Sequence, residues 1–377
     1  MDLLFVTLAG HGHITPTLAL VAELAERGHQ VDYATGAEHA DAVTAAGASW
    51  VELPALPPFR PTGQNVMESW FRHYFAAMRA TYPVLLDRCR ADRPKVICYD
   101  ATNWPARVVA EKLGIPAVRC VPHLASNDSF RLMEPEETRV IEPDCARFAA
   151  EHGVALDVSG VLDLPERRNL VFVPREFQPA GDTFDETFHF IGPLIGRRDA
   201  EPWAPQHDDL PLLYVSLGSI MADPAFYRAC VDAFGDGAWQ VAMTARDVGP
   251  VPATFDVQGW FPQPVVLQRA RVFVTHAGMN STMEALHHGV PLVMVPQTPE
   301  QVANADRVEE LGLGERLRDN EDLRAVVERV ANSGTIRGNL DRMRAAIRSA
   351  GGAERGADLI SDRARCPADP EKDPPHG

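Results

Sequence analysis

The chain has 377 residues, a length that favours two domains over one compact core. Its composition is that of a globular protein, with 45% hydrophobic and 23% charged residues, and its formal net charge is −16. So acidic a chain is poorly suited to nucleic acid or an anionic membrane surface, and we expect neither partner. An anionic ligand would therefore have to be bound by local dipoles.

The cysteines and the N-terminal segment indicate a cytoplasmic protein. Six cysteines lie far apart without a CxxC pair, which is typical of reduced thiols. The opening MDLLFVTLAGHGH lacks a basic region and reads as a first strand, not a signal peptide. No apolar run reaches the 18 residues or so that a transmembrane helix needs. The oligomeric state stays open, with a homodimer as one option.

Short apolar strands alternate with helical stretches in the first half of the chain. The predicted elements are strand Leu3–Leu8, helix Thr17–Arg27, strand Gln30–Ala34, helix His39–Ala46, strand Val96–Tyr99, a helix around Pro105–Leu113 and strand Ala117–Cys120. This alternation is typical of a parallel α/β sheet with helices on its faces. Between them, Phe59–Tyr82 is irregular and rich in aromatic residues.

A second strand–turn–helix series begins at Leu212–Ser216. We interpret Phe188–Pro211 as the linker and predict domains at residues 1–198 and 199–361. Arg337–Ala350 is the last clear helical stretch. The final helix of the second domain could pack back on the first domain. Residues 362–377 are predicted to be a disordered tail, since they have little apolar surface to bury. Two facing domains of this type would place a cleft at the carboxyl ends of their strands.

The most informative stretch is Phe273–Gln301, FVTHAGMNSTMEALHHGVPLVMVPQTPEQ. An apolar strand stops at Thr275, a helix opens after Gly278, and another strand follows at Leu292–Val295. Backbone N–H groups at a helix start, with His276 just before them, form a receptor for a diphosphate.

The segment from Trp260-Phe-Pro-Gln263 to Glu300-Gln301 resembles the nucleotide-sugar signature of GT-B glycosyltransferases, specifically the antibiotic and macrolide glycosyltransferase family. The resemblance extends from His13 to about Ser361. It implies an α/β fold of two facing Rossmann-like domains with parallel sheets. The N-terminal domain would bind an acceptor and the C-terminal domain a nucleotide-sugar donor.

The resemblance also implies roles for the residues of this signature. Trp260 would stack on the nucleobase with Gln263 beside it, as a flat ring suits a flat base. The remaining donor contacts would be His276, Gly278, Asn280 and Ser281 with the diphosphate, Glu284 with the ribose, and Glu300 and Gln301 with the sugar.

The residues alone leave other interpretations open for several of these positions. Ser281-x-x-Glu284 has the spacing of a capping box, so Glu284 could simply start a helix. Trp260 could be a core residue and Glu300 a solvated loop carboxylate, and many family members carry Asp at the latter position. Ser219, after Gly218 at a strand end, is a second candidate phosphate contact, although Gly-Ser is also common turn chemistry.

In the first half, Gly12-His13-x-x-Pro16 resembles the family motif whose histidine is the catalytic base. The resemblance implies that His13 deprotonates the acceptor hydroxyl and that Asp100 holds its imidazole, a division of work that suits histidine. Taken singly, each could instead cap a helix. His11 is the competing histidine, and we favour His13. A dinucleotide site is disfavoured, because Thr15 stands at the third glycine position and no acid follows the second strand.

Together these features predict an inverting O-glycosyltransferase that needs no metal or other cofactor. No Asp-x-Asp motif stands at a strand end, and neither histidine pair, His11-x-His13 nor His287-His288, has further ligands that would complete a metal site. UDP-glucose is the favoured donor, and the acceptor would be a small apolar hydroxylated natural product such as a macrolide or polyphenol, roofed by the Phe59–Tyr82 aromatics. The alternatives are a TDP-deoxysugar transferase, a non-catalytic auxiliary partner of a glycosyltransferase, and a nucleotide-sugar epimerase.

Overall fold

The structure is a computed structural model that describes residues 2–8, 10–55, 59, 66–132, 138–162, 164–195, 202–218, 223–246, 248–319 and 321–365. The chain forms two compact units. The first comprises Met1–Gly196 together with Ala350–Gly377, and the second comprises Arg197–Ser349. The boundary expected from the sequence, at 198/199, lies close to the end of the first stretch.

The first unit is built on a seven-stranded parallel sheet in the order β3-β2-β1-β4-β5-β6-β7. Its strands are β1 Leu3–Val6, β2 Val31–Thr35, β3 Ser49–Glu52, β4 Val96–Asp100, β5 Ala117–Val121, β6 Asn169–Val171 and β7 Phe188–Phe190. Its helices are α1 His11–Glu26, α2 Ala40–Ala45, α3 Val66–Arg79, α4 Tyr82–Ala91, α5 Trp104–Leu113, α6 Glu142–His152, α7 Val158–Leu162 and the last helix of the chain, α14 Gly352–Arg365.

Strand β1 explains how this sheet is buried. Its four residues are all buried, and they alternate between two cores. Leu3 and Phe5 belong to a cluster that includes residues of α1 and α14, whereas Leu4 and Val6 belong to one that includes residues of α3, α4 and α5. A strand that is covered on both faces reads as a continuous apolar run, which is the pattern in the sequence.

The chain's last helix corrects two expectations. Arg337–Ala350 is not the last helical stretch, because a further helix, α14, runs from Gly352 to Arg365. Residues 362–365 are therefore helical and not part of a tail, while residues 366–377 of that predicted tail lie outside the described part. Helix α14 lies on α1 of the first unit, where Arg27 Nη1 is 2.7 Å from Asp358 Oδ1.

The predicted linker also begins too early. Phe188–Phe190 forms β7, the edge strand next to β6, and Ile191 and Leu194 are buried in the first unit's core. The Gly-Pro residues of this segment suggested a linker, yet the apolar residues around them supply core contacts. The first unit thus continues past the point where the sequence pattern becomes irregular.

The second unit contains a six-stranded parallel sheet in the order β10-β9-β8-β11-β12-β13. Its strands are β8 Leu212–Ser216, β9 Gln240–Thr244, β10 Phe255–Gln258, β11 Val272–Thr275, β12 Leu292–Met294 and β13 Gly314–Arg316. Its helices are α8 Pro224–Phe234, α9 Gln263–Leu267, α10 Met279–His288, α11 Pro299–Glu310, α12 Leu323–Asn332 and α13 Gly334–Ala350. Strands β8 and β11 are neighbours at its centre.

Two further expectations bear on the whole chain. The five described cysteines are buried and free, as expected of reduced thiols, while Cys366 lies outside the described residues. Among the helices of the described ranges, none has both the length and the apolar character that crossing a membrane requires.

Candidate active site

His13 lies in the first turn of α1, because this helix begins at His11, directly after the loop that follows β1. The expected start at Thr17 is wrong. The glycines and Pro16 suggested a longer loop, but a proline one turn inside a helix removes only a single backbone hydrogen bond, and here the helix accommodates it. The early start holds His13 on a rigid element at the carboxyl edge of the sheet.

His13 and Asp100 are brought together although 87 residues separate them. His13 Nδ1 lies 2.8 Å from Asp100 Oδ2. Asp100 ends β4, the neighbour of β1, so the two parallel strands deliver both residues to the same edge. The carboxylate accepts a hydrogen bond from the Nδ1–H group, which leaves Nε2 of a neutral imidazole as a proton acceptor. The His13 side chain is 25% exposed and that of Asp100 is fully buried.

The second oxygen of Asp100 is held by Thr102. The Thr102 backbone N–H donates to Asp100 Oδ1 at 2.9 Å, and the Thr102 hydroxyl donates to the same atom. Burial by itself would raise the pKa of Asp100, but His13 and Thr102 together bring it below its usual value. The alternative that Asp100 caps a helix is wrong, because Asn103 is the residue that caps α5.

Two residues at this site were missed by the sequence analysis. Thr102 is one, and the other is His123, which follows β5. The His123 ring centroid is 6.2 Å from that of His13, and its Nδ1 is 2.8 Å from the Leu124 carbonyl oxygen. The proximity of Thr102 to Asp100 in the sequence was a usable signal. The position of His123 near His13 could be inferred only from the pairing of β5 with β4.

Most of the described aromatic residues of Phe59–Tyr82 belong to the core. Its described aromatic residues include four that are buried in the first unit's core: Phe71, Tyr74, Phe75 and Tyr82. Trp70 is half-buried and stacks on Tyr74, with centroids 5.3 Å apart, while Phe59 is exposed. Only part of this stretch is therefore available to contact a ligand.

In the second unit, three residues join β11 to α10: His276, Ala277 and Gly278. Ala277 has a φ of +64°, and Gly278 is the N-cap of α10 without any side-chain cap. The His276 ring is wedged between two glycines. A Cβ at Gly218 would lie 2.9 Å from the ring, and one at Gly278 would come closer still. Larger residues at either position would displace the imidazole.

The electrostatic state of His276 differs from that of a histidine beside a carboxylate. Burial lowers its pKa, although the Ser216 carbonyl and the charge of Glu300 oppose the shift. The imidazole is accordingly neutral at pH 7. Its Nδ1 is buried and has no hydrogen-bond partner among the described residues, a situation that a bound polar group would relieve.

Gln263, Ser281 and Glu284 form one cluster. Gln263 Nε2 donates to Glu284 Oε2 at 2.8 Å and to Ser281 Oγ at 3.1 Å. The capping-box interpretation of Ser281 and Glu284 is wrong, because the N-cap is Gly278 and both residues lie inside α10. Glu284 is 7% exposed, so its carboxylate is held within the cluster rather than extended into solvent.

Trp260 is not a core residue. It is 61% exposed, whereas the adjacent Phe261 is buried. An exposed indole just before α9 is available to stack on a ligand. The alternative that Trp260 is a core residue is wrong.

Glu300 and Gln301 stand in the first turn of α11, whose N-cap is Thr298. Glu300 is exposed, and the helix dipole at the N-terminus of α11 stabilises its negative charge. Gln301 Oε1 accepts the Gln297 backbone N–H at 2.8 Å. Farther along the same helix, Asn304 Nδ2 donates to the Ala277 carbonyl at 3.0 Å, a contact that the sequence analysis missed.

The remaining predicted residues are placed as follows. Asn280 is half-buried in the first turn of α10. Ser219 lies outside the described residues. The residue before it, Gly218, has a φ of +84°. Within the described ranges, no group of three or more His, Cys, Asp or Glu side chains is arranged to hold a metal ion.

Comparisons with known proteins agree with this fold. Residues 238–353 match the C-terminal domain of the erythromycin biosynthesis protein CIII-like family. The NDP-glycosyltransferase YjiC of Bacillus subtilis (strain 168) is 36% identical over 93% of this chain and 94% of its own length. The demethyllactenocin mycarosyltransferase of Streptomyces fradiae is 35% identical over 94% of this chain and 85% of its own length. The crystal structure of CalG4, the calicheamicin glycosyltransferase, superposes with a TM-score of 0.86 at 33% identity, covering 96% of this chain and 98% of that chain.

The chain belongs to the antibiotic and macrolide glycosyltransferase family, and its fold is GT-B. It is an enzyme, a glycosyltransferase, as the resemblance in its motifs predicted. All three of these relatives are named as transferases, which leaves the auxiliary-protein and epimerase alternatives without support.

Proposed function

We propose that this enzyme is an inverting, metal-independent O-glycosyltransferase. It transfers a sugar from a nucleotide-sugar, UDP-glucose in first place, to a hydroxyl of a small apolar natural product such as a macrolide or polyphenol. The observation that carries the proposal is the 2.8 Å hydrogen bond between His13 and Asp100 at a carboxyl sheet edge.

The acceptor hydroxyl donates its proton to Nε2 of His13. Asp100 accepts a hydrogen bond from Nδ1–H throughout, so it fixes the tautomer and stabilises the imidazolium that forms. Because His13 and Thr102 already engage both carboxylate oxygens, Asp100 is poorly suited to act as a nucleophile itself. This arrangement supports a single displacement, in which inversion follows at the anomeric carbon.

In that displacement, a bond forms between the acceptor oxygen and the anomeric carbon. The bond from that carbon to the diphosphate oxygen breaks, and the nucleoside diphosphate leaves with the electron pair. His276 and the start of α10 are proposed to bind the departing diphosphate, since backbone N–H groups and a helix dipole neutralise negative charge without a metal ion.

The donor contacts are proposed within the second unit. Trp260 stacks on the base, with Gln263 beside it, and Glu284 accepts hydrogen bonds from the ribose hydroxyls. Glu300 and Gln301 contact the sugar. The exposure of Trp260 and the cluster of Gln263 with Glu284 support this assignment. Asn280, Ser281, Gly278 and Ser219 are the further proposed diphosphate contacts.

A TDP-deoxysugar is the second candidate donor. The observation in its favour is that one of the relatives over most of the chain is named a mycarosyltransferase. The two donors differ in their base and sugar, so they can be distinguished directly.

A crossed screen tests the proposal. UDP- and TDP-sugars are each incubated with macrolide, flavonoid and simple aromatic acceptors, with and without EDTA, and products are identified by mass spectrometry. The anomeric configuration of the product is read by NMR. We expect transfer that resists EDTA and gives the inverted anomer; retention of configuration or loss of activity with EDTA would refute the mechanism.

A further inference from the structure

Asn304 is a fully buried polar residue that contacts the proposed diphosphate loop. It is 0% exposed, and its Nδ2 donates to the Ala277 carbonyl oxygen at 3.0 Å. Its Oδ1 has no hydrogen-bond partner among the described residues. A buried amide that makes this one hydrogen bond is poorly explained by stability alone, because an apolar side chain would avoid the penalty of the unpaired oxygen.

The carbonyl that Asn304 binds belongs to a residue in an unfavourable conformation. Ala277 has a φ of +64°, the left-handed region that non-glycine residues rarely occupy. Such conformations persist where surrounding contacts impose them, and they occur often at functional sites. Ala277 stands between His276 and Gly278, so its conformation sets where the imidazole and the first N–H groups of α10 point.

Asn304 also connects this loop to the helix that carries the proposed sugar contacts. Glu300 and Asn304 are four residues apart on α11 and therefore share one side of it. The charge of Glu300 acts on His276, which agrees with this side of α11 facing the loop.

Given the nucleotide site proposed above, on which this step rests, we infer that Asn304 is a positioning residue for the diphosphate. Its amide holds Ala277 in the left-handed conformation and thereby keeps His276 and the start of α10 in the arrangement that receives the phosphates. It does not itself contact the substrate.

Calorimetric titration with UDP, and in parallel with TDP, tests this role. We expect Asn304→Leu to weaken binding of whichever nucleotide the wild type prefers by about tenfold, since the Ala277 carbonyl loses its partner and the loop relaxes. If the leucine variant folds poorly, Asn304→Ser takes its place. The serine side chain is smaller and cannot overlap its neighbours, and this variant should show the same loss of nucleotide affinity.

The decisive variant adds glycine to the loop. Glycine occupies positive φ without strain, so Ala277→Gly combined with Asn304→Leu should recover affinity to within about threefold of wild type. A purely structural role for Asn304 would not produce this recovery. An affinity in the double variant as low as in Asn304→Leu would overturn the inference.

Asn339 offers a matched control in the same unit. Its Nδ2 donates to the Leu311 and Gly312 carbonyls at a turn where Gly312 also has a positive φ of 61°. Asn339→Leu should lower the melting temperature but leave nucleotide affinity unchanged. His276→Ala separates the two levels of the proposal. If it abolishes binding while Asn304→Leu does not change it, the positioning role fails alone; if neither matters, the nucleotide site itself is wrong.

Discussion

Both units place a histidine where a parallel strand gives way to a helix, but the two imidazoles are held in opposite ways. His13 is tied through Nδ1 to a buried carboxylate, which stabilises a positive charge on the ring. His276 is wedged between glycines, and burial lowers its pKa. The same residue type is thus suited to take up a proton in one unit and to remain neutral in the other, where we propose that it contacts a diphosphate.

The difference shows that the partner, more than the residue type, determines what a histidine can do. A carboxylate that accepts from Nδ1 makes Nε2 a better base. Without such a partner, desolvation disfavours the charged ring, and its role becomes that of a neutral hydrogen-bonding group. The two sites should therefore respond to substitution in different measurements: turnover for the first and nucleotide affinity for the second.

The largest expected effect is on turnover in the first unit. His13→Ala should lower the transfer rate by about 10³-fold, because general-base catalysis contributes on the order of 10²–10⁴. Nucleotide affinity measured by calorimetry should stay within a few-fold of wild type. His11→Ala is the control and should retain most activity. Equal losses of turnover and nucleotide affinity in His13→Ala would contradict the separation of roles.

In the second unit, Trp260→Ala should weaken UDP binding by about 30-fold, since stacking of a base on an aromatic ring contributes ~1–3 kcal/mol. The indole is exposed, so the melting temperature should change little. Trp260→Phe keeps a flat ring and should recover most of the affinity. An unchanged dissociation constant in the alanine variant would remove Trp260 from the donor site.

Glu284→Ala should weaken UDP binding by about tenfold, as expected from the loss of hydrogen bonds to a charged group. The alternative is that Glu284 affects only its own helix. Because Glu284 is not the cap of α10, the substitution would then change the stability of the protein only slightly. Ser281→Ala, which leaves the pairing of Gln263 with Glu284 in place, is the milder comparison. Unaltered calorimetric affinity in Glu284→Ala would argue against its contact with ribose.

The smallest expected effect concerns the hydrogen bond between Thr102 and Asp100. Thr102→Val removes the hydroxyl that helps to lower the Asp100 pKa, so that pKa should rise. The acid limb of the kcat/KM profile reports protonation of His13, the proposed base, because Asp100 stays ionised in that range. Without the Thr102 hydroxyl, the carboxylate accepts more strongly from His13 and stabilises the imidazolium, so the acid limb should move to higher pH. At neutral pH we expect a loss of about fivefold, typical of one hydrogen bond.

Thr102→Ser retains the hydroxyl and should keep the wild-type profile. The comparison is between shapes of the pH profile, which a simple loss of folded protein would not alter. A Thr102→Val enzyme whose acid limb coincides with that of Thr102→Ser would show that the hydroxyl does not tune Asp100.

Much of this protein could be predicted from its residues, and the errors are instructive. Apolar runs and glycine turns identified the parallel α/β sheets, and the Trp260–Gln301 motif indicated the family, because these signals are local. The start of α1 was placed too late, since proline and glycine usually end a helix yet can be tolerated near its beginning. The edge strand β7 and helix α14 were missed because their place depends on a core formed by distant residues.

The sequence by itself determined the strand–helix alternation, the family and a set of candidate residues, since periodicity and motif are properties of neighbouring positions. Tertiary structure alone decided which of these residues meet. The pairing of β1 with β4 brings His13 to Asp100, and the contact between α11 and the loop after β11 brings Asn304 to Ala277. Hydrogen bonds act over about 3 Å, so partners far apart in the chain become a site only when the order of strands in the sheet delivers them to the same edge.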